Sequence, residues 1–124
     1  MNLGLVLSGG MAKGDNLAAT LNMFDKATKG DTEAMVGMGL MYQVELKNGS
    51  KAFYWMQKAS NLGNAEGTYW LGKFYINGYG VNEDRNEGVL KIIMAARNGH
   101  KAAIQDLKEV GISVEKMRSC GIPV

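Results

Sequence analysis

The sequence of 124 residues contains one cysteine, one proline and one histidine. The single cysteine, Cys120, excludes an intrachain disulfide and a cysteine-cluster metal site. His100 has no second histidine to join it in the usual zinc or nucleophile–base sites, so we interpret it as a surface loop residue. The sequence therefore predicts no metal, no cofactor and no catalytic residues.

Proline is rare beside glycine, of which the chain has 17. This imbalance favours helices that end at glycine turns over a proline-punctuated β-sandwich. The length suits one domain with a modest core. We therefore expect a single all-α domain.

Charge of one sign and long hydrophobic runs are also lacking. Fourteen Lys and Arg stand against 12 Asp and Glu, and the basic residues are spread along the chain instead of forming the stripe that nucleic-acid binding needs. The apolar run at residues 3–7 is too short for a membrane span and lacks the preceding basic residues of a secretory signal. We expect no nucleic-acid or membrane partner, and a cytoplasmic location.

What the sequence does contain is an internal repeat. Residues 26–42 and 59–75 share a glycine, a small residue, an apolar-Gly pair and a tyrosine in the same register. Gly30, Gly63 and Gly99 mark the equivalent position in three successive copies. Each copy has two segments with apolar residues at helical spacing, such as those around 65–77 and 85–98 in the second copy. The pattern predicts antiparallel helix pairs.

Glycines and a cap position delimit these helices. Gly63 and Gly99 suit the left-handed residue that closes a helix, and Asp84 followed by Glu87 is typical of a capping box. Gly72 lies inside a predicted helix, where glycine costs about 1 kcal/mol in helix propensity. We expect close contact between paired helices at Gly72, and at its equivalent in the first copy, to offset that cost.

The stretch Leu71-Gly-Lys-Phe-Tyr-Ile-Asn-Gly-Tyr-Gly-Val-Asn-Glu-Asp84, followed by a helix ending Ala95-Ala-Arg-Asn-Gly99, resembles the Sel-one-like repeat. That family forms α-solenoids related to tetratricopeptide arrays. The resemblance implies an all-α fold, a short right-handed α-solenoid of antiparallel helix pairs, with about two complete repeats and partial terminal ones. The expected divisions of the single domain 1–124 are a partial first repeat at 1–30, repeats at 31–63 and 64–99, and a partial repeat with a carboxyl-terminal cap at 100–124.

Some positions depart from the family pattern. The copy that begins at Gly30 lacks the Gly-x-Gly-Val loop, Gly88 replaces the usual alanine, and Lys108 stands at the repeat position of Gly72. The change to lysine indicates that the array ends there. We expect residues 114–118 to form a short helix within the cap.

The glycine-rich stretch at residues 4–15, GLVLSGGMAKGD, resembles the oxyanion loop at the start of patatin-like lipases. The nucleophile elbow Gly-x-Ser-x-Gly, the phosphate-binding Gly-Lys-Ser/Thr and the dinucleotide fingerprint Gly-x-Gly-x-x-Gly are all missing from the chain. In the repeat register residues 3–15 align with 71–84 after a one-residue deletion, so we interpret the stretch as a degenerate repeat loop, with residues 3–7 as the end of a helix. The adjacent Glu83 and Asp84 are explained by helix capping.

Three methionines lie at a spacing of three in the first helix of the first copy. Met38 and Met41 occupy the positions of Leu71 and Phe74 and are predicted to be in the core, whereas Met35 is predicted to be exposed. Trp55 is at a family position that packs between helices, and we assign it to the core as well.

Trp70 precedes a Leu-Gly pair, where the family usually carries a polar residue such as asparagine. The first helix of each pair lines the concave face of such solenoids, and tryptophan is enriched at binding hot spots. Packing of Trp70 on the loop of the preceding unit is the alternative. The predicted protein-binding face consists of Gln43, Val44, Trp70, Lys73, Asn77 and Tyr79.

These observations favour a non-enzymatic protein–protein interaction module, an adaptor that binds its partner through this concave face. One alternative is an immunity protein that neutralises a bacterial toxin by direct binding, and a signalling protein is a further partner class. A hydrolase of the β-lactamase or esterase kind is disfavoured, because the cysteines of the relatives connected with β-lactams are missing from this chain, whose one cysteine is Cys120. The incomplete first repeat also suggests homodimerisation through the amino-terminal end.

Overall fold

The computed structural model describes residues 15–124, which form helices without any strand. The expectation that residues 3–7 end a helix therefore lies outside the described residues, as does the loop before Asp15. Seven helices follow one another in the described part of the chain: α1 Asp15–Thr28, α2 Thr32–Val44, α3 Gly49–Asn61, α4 Ala65–Asn77, α5 Arg85–Arg97, α6 Lys101–Glu109 and α7 Val114–Ser119.

Each helix from α1 to α5 packs against the next helix along the chain. The helix pair α2–α3 forms one unit and α4–α5 the next, and α6 then packs on α5. The two helices predicted near 65–77 and 85–98 are thus confirmed as α4 and α5. The described part of the chain is a short helical solenoid.

Every helix from α2 to α7 begins at a residue whose side chain accepts a hydrogen bond from the backbone N–H three residues later. These cap residues are Asp31, Asn48, Asn64, Asp84, His100 and Ser113. Only half of the predicted capping box forms, however. The backbone N–H of Asp84 donates to the carbonyl of Tyr75 (2.8 Å), and a carboxylate oxygen of Glu87 lies 3.8 Å from Nζ of Lys91.

Close packing of paired helices is confirmed at Gly72. A Cβ atom there would lie 2.9 Å from the carbonyl oxygen of Gly88 and 2.8 Å from Cδ1 of Ile92. Gly63 and Gly99 have φ angles of 92° and 84°, which confirms them as the left-handed residues after α3 and α5.

The core consists of two clusters of buried side chains. The first, between α1 and α4, includes Met38, Met41 and Trp55, whose predicted burial is confirmed. The prediction for Met35 is wrong, because this side chain is only 1% exposed and packs in the same cluster. Its repeat equivalent Thr68 is buried too, so the position faces the core in both units.

The second cluster joins α4 and α5 to the carboxyl-terminal residues. Met117 of α7 and Ile122 after it are buried against Ile92 of α5. Helix α7 confirms the short helix predicted near residues 114–118. Helix α6 has nine residues where α4 has 13, so the third unit is shortened. Within residues 15–124 no helix has the length and hydropathy needed to cross a membrane.

Candidate functional site

Helix α4 and the end of α2 carry the residues predicted to bind a partner. Trp70, Lys73 and Asn77 lie along α4 at spacings of three and four, which places them on neighbouring positions of one helical face. Gln43 and Val44 are the last two residues of α2. We call this set, together with Tyr79 of the loop that follows α4, the Trp70 face.

Trp70 is half-buried and touches both core clusters. Its ring lies 5.9 Å from the ring of Tyr69 and 6.3 Å from that of Phe74. The indole Nε1–H donates to the carboxylate of Glu66 one turn earlier on α4, at 3.4 Å. The indole is therefore held by neighbours on its own helix while part of it stays in contact with solvent.

Tyr79 connects the loop after α4 to the end of α2. Its hydroxyl donates to the backbone carbonyl of Gln43 (3.5 Å), and its ring packs 5.2 Å from that of Phe74. Val44, next to Gln43 in the chain, is 60% exposed. Phe74 contacts the rings of both Trp70 and Tyr79, so one buried side chain supports two members of the Trp70 face.

The same edge of the solenoid contains buried oxygens without a hydrogen-bond partner among residues 15–124. They are the hydroxyl of Tyr42 and Oε1 of Gln43, adjacent residues near the end of α2. Burial raises the pKa of Tyr42 above its ordinary value. An unpaired buried polar group costs about 1–3 kcal/mol, so this end of α2 is energetically less well satisfied than the caps described above.

Lys73 has its charge paired within the molecule. Its Nζ lies 2.9 Å from Oδ2 of Asp106 on α6 and 5.4 Å from the centre of the Tyr69 ring. The Tyr69 hydroxyl donates to the same carboxylate oxygen at 2.8 Å. Lys73 therefore links α4 to α6, a contact that the sequence alone did not indicate.

The pKa values of this cluster are shifted by these contacts. Burial acts to raise the pKa of Asp106, but the hydrogen bonds from Lys73 and Tyr69, with the charges of Lys73 and His100, outweigh it and lower the pKa. The hydrogen bond to Asp106 raises the pKa of Lys73, against desolvation. Burial, and then the bond to Asp106, raises the pKa of Tyr69. Asp106 is thus stabilised as the anion and Lys73 as the cation.

His100 has a structural role that the sequence reasoning missed. Its Nδ1 accepts from the backbone N–H of Ala103 (3.3 Å) at the start of α6, and its ring stacks on that of Tyr69 at 4.6 Å and 25°. The repeat register could have indicated this capping role, since His100 holds the repeat position of the cap residues Asp31 and Asn64.

Three serines of the described residues make structural hydrogen bonds. Ser60 hydrogen-bonds the hydroxyl of Thr68 (2.6 Å), Ser113 caps α7, and Ser119 donates to a backbone carbonyl. Between residues 15 and 124 no serine is hydrogen-bonded to His100, and no group of three or more His, Cys, Asp or Glu side chains could hold a metal ion. This part of the chain therefore contains neither a hydrogen-bonded serine–histidine pair nor a metal-binding cluster.

A groove of about 470 Å³ that the sequence did not predict lies where α4, α5 and α6 meet the carboxyl-terminal residues. We call it the C-terminal groove. Its floor is apolar, and charged side chains stand among its lining residues. Its lining includes Arg85, Val89, Ile93, Glu109, Val110 and Lys116.

Stacked helix pairs, a shared cap position and glycine contacts between paired helices define a helical-repeat protein. A family model of the Sel1 repeat matches residues 32–64 and 65–100, more than half of the chain. The chain belongs to the Sel1 repeat family. Sel1 repeats are generally modules for protein–protein interaction and are not enzymes.

Proposed function

We propose that this protein is a non-enzymatic interaction module that binds a protein partner through the Trp70 face. The observation that carries the proposal is the half-exposed indole of Trp70, held by Glu66 and packed against both core clusters. A large aromatic side chain that is already fixed loses little conformational freedom on binding. Trp is also among the residue types most enriched at interface hot spots.

The surroundings of Trp70 support this proposal. Val44 offers an exposed apolar side chain at the end of α2, and Tyr79 offers a ring fixed by Phe74 and by the carbonyl of Gln43. An interface core needs apolar anchors of this kind within a polar rim. Asn77, which is exposed at the end of α4, would belong to the rim.

Affinity capture from the source cell with paired variants tests the proposal. Val44→Asp puts a charge on the Trp70 face at a side chain that is 60% exposed, so the core is left intact. Leu62→Asp is the matched control, because Leu62 is 57% exposed and follows α3, outside the face. The proposal expects a partner that is retained by the wild type and by Leu62→Asp and is lost from Val44→Asp. Equal retention by both variants would contradict it.

As the alternative to an adaptor, we propose an immunity protein whose partner is a toxin. A standard interface takes only about 800 Å² from each partner, which is enough to cover one active site. If a toxin-like reading frame adjoins the gene, co-expression is expected to rescue cells from that toxin. Val44→Asp is expected to abolish the rescue, and a lack of rescue by the wild type would exclude the immunity role.

A further inference from the structure

The C-terminal groove lies at a surface that is covered in the preceding repeat. On α3, Phe53 is covered by the ring of Tyr75 from the next unit, at 5.5 Å and 87°. At the start of the same helix, Gly49 lies against Gly80, since a Cβ on Gly49 would be 2.9 Å from the Gly80 nitrogen. In the first unit, a helix end and its following loop from the next repeat therefore close this surface.

The equivalent positions in the second unit have changed in a concerted way. In the register that matches Gly88 with Ala52, Val89 replaces Phe53 and Arg85 replaces Gly49. Gly111, which has no side chain, stands where the third unit would need the equivalent of Tyr75. The covering ring is thus missing, and an arginine occupies a position that must be glycine for the loop to approach.

The result is an open apolar surface. Val89 is 38% exposed and Val110 is 72% exposed, and both line the groove. Its volume of about 470 Å³ is within the range of ligand sites, 300–1,000 Å³. Since the same surface takes a helix end in the first unit, a helical segment of polypeptide is the occupant that its shape fits.

The charged side chains around the groove favour a segment of the opposite charge. Among the described residues, Arg85 and Lys116 have no ion pair, whereas the carboxylate of Asp106 is already paired with Lys73. Glu109 accepts a hydrogen bond from Gln105 (3.3 Å). The unpaired cations outnumber this one remaining carboxylate, so acidic side chains on the occupant would complement the groove.

We propose that the C-terminal groove binds an acidic amphipathic helix of a protein partner. An apolar side chain of that helix takes the place that Tyr75 holds over Phe53 in the first unit, and its carboxylates pair with Arg85 and Lys116. This second surface is separate from the Trp70 face except for Lys73, which lines both. It does not depend on the function proposed for that face.

Titration of the full chain with designed peptides tests this inference. The probe is a capped peptide of about 14 residues, a length at which an isolated helix is only marginally stable in water, with Leu and Phe at helical spacing and Glu elsewhere. A second peptide has Lys in place of every Glu. We expect the acidic peptide to bind at least about tenfold more tightly than the basic one, and this preference to shrink at high salt. Equal binding of the two peptides would overturn the proposal.

Matched variants locate the binding. Val89→Asp is expected to weaken the acidic peptide by about tenfold or more, whereas Leu90→Asp, on the same helix but outside the groove, changes it less than about twofold. Val110→Asp, at a more exposed side chain, repeats the test if Val89→Asp unfolds. Peptide affinity that is unchanged in the folded variants overturns the proposal.

Two charge-reversal variants test the contribution of Arg85, and a lipid probe tests the class of ligand. Arg85→Glu is expected to weaken the acidic peptide by about tenfold, and Lys101→Glu, which lies outside the groove, is the control. Dodecanoate is the small amphiphilic anion to compare. Binding of dodecanoate together with failure of the acidic peptide would assign the groove to a lipid-like ligand and overturn the proposal.

Discussion

Gly72 of α4 and Gly88 of α5 face each other backbone to backbone. A Cβ on Gly72 would lie 2.9 Å from the carbonyl oxygen of Gly88, and a Cβ on Gly88 would lie 2.7 Å from the carbonyl oxygen of Gly72. Both residues are buried within their helices. The departure from alanine at Gly88 that the sequence showed is thus explained by the close approach of two helix backbones, which fixes the α4–α5 pair.

Gly88→Ala is expected to destabilise the protein by about 1–3 kcal/mol, because the added methyl group would clash with a backbone oxygen of the neighbouring helix. This cost exceeds the gain in helix propensity from glycine to alanine, which is about 1 kcal/mol. Gly37→Ala is the matched control inside α2, where the added Cβ meets mainly the flexible end of the Met23 side chain. We expect Gly37→Ala to be neutral or slightly stabilising. Urea unfolding of both variants checks this, and equal stability of the two would contradict it.

Asp84→Ala is expected to cost about 1 kcal/mol, since it removes the side chain that accepts from the Glu87 N–H at 3.0 Å and caps α5. Asn86→Ala changes an exposed residue of the same first turn and should be close to neutral. Thermal unfolding of the two variants provides the comparison. A Tm for Asp84→Ala that equals that of Asn86→Ala would show that the cap contributes nothing.

Asp106→Asn removes the carboxylate that joins Lys73 and Tyr69. At neutral pH we expect it to lower the free energy of unfolding by about 0.5–1 kcal/mol. The folded pKa of Asp106 is lowered, so its contribution is present above the ordinary pKa of an aspartate and is lost as the pH falls through the folded value. The stability gap between wild type and variant should therefore narrow in acid below about pH 4.

The control for this pH dependence is Asp25→Asn, which breaks the more exposed pair with Lys29 (3.1 Å). It is expected to change stability by less than Asp106→Asn at neutral pH. Urea unfolding at several pH values measures both effects. A gap for Asp106→Asn that stays constant or widens in acid would contradict the assigned direction of the shift.

Met35→Ala is expected to destabilise the protein by about 2–5 kcal/mol, because it leaves a cavity in the first core cluster. Leu62→Ala removes a side chain that is mostly in solvent and should cost far less. Chemical unfolding distinguishes the buried position found in the structure from the exposed one that the sequence predicted. A cost below 1 kcal/mol for Met35→Ala would favour exposure.

The helices of the repeat units could be predicted closely, because register, caps and glycines all gave the same boundaries. Helix α4 begins and ends where the periodicity predicted, and α5 differs by one residue at its end. The prediction for Met35 was wrong because it took the polar side chain of the repeat equivalent, Thr68, as a sign that this position is exposed. The Thr68 hydroxyl is in fact buried and satisfied by Ser60 at 2.6 Å.

The site was harder to predict because it depends on contacts between units. That Lys73 pairs with Asp106 follows from how α6 packs beside α4, which no local pattern encodes. The C-terminal groove exists because α6 stops early and Gly111 takes the repeat position of Tyr75. Repeat alignment could have indicated the missing side chain, but the cavity itself required the packed structure. The role of Trp70 as a contact residue remains a prediction.

The dissociation constant of the captured partner for the wild type and for Trp70→Ala is the most direct measurement of the central proposal. Thermal unfolding first checks that both proteins are fully folded at the temperature of the binding assay, since Trp70 also packs on the core. A hot spot at Trp70 predicts a loss of about 2 kcal/mol or more, roughly a thirtyfold weaker complex. A dissociation constant for folded Trp70→Ala within about twofold of the wild type would contradict the proposed binding face.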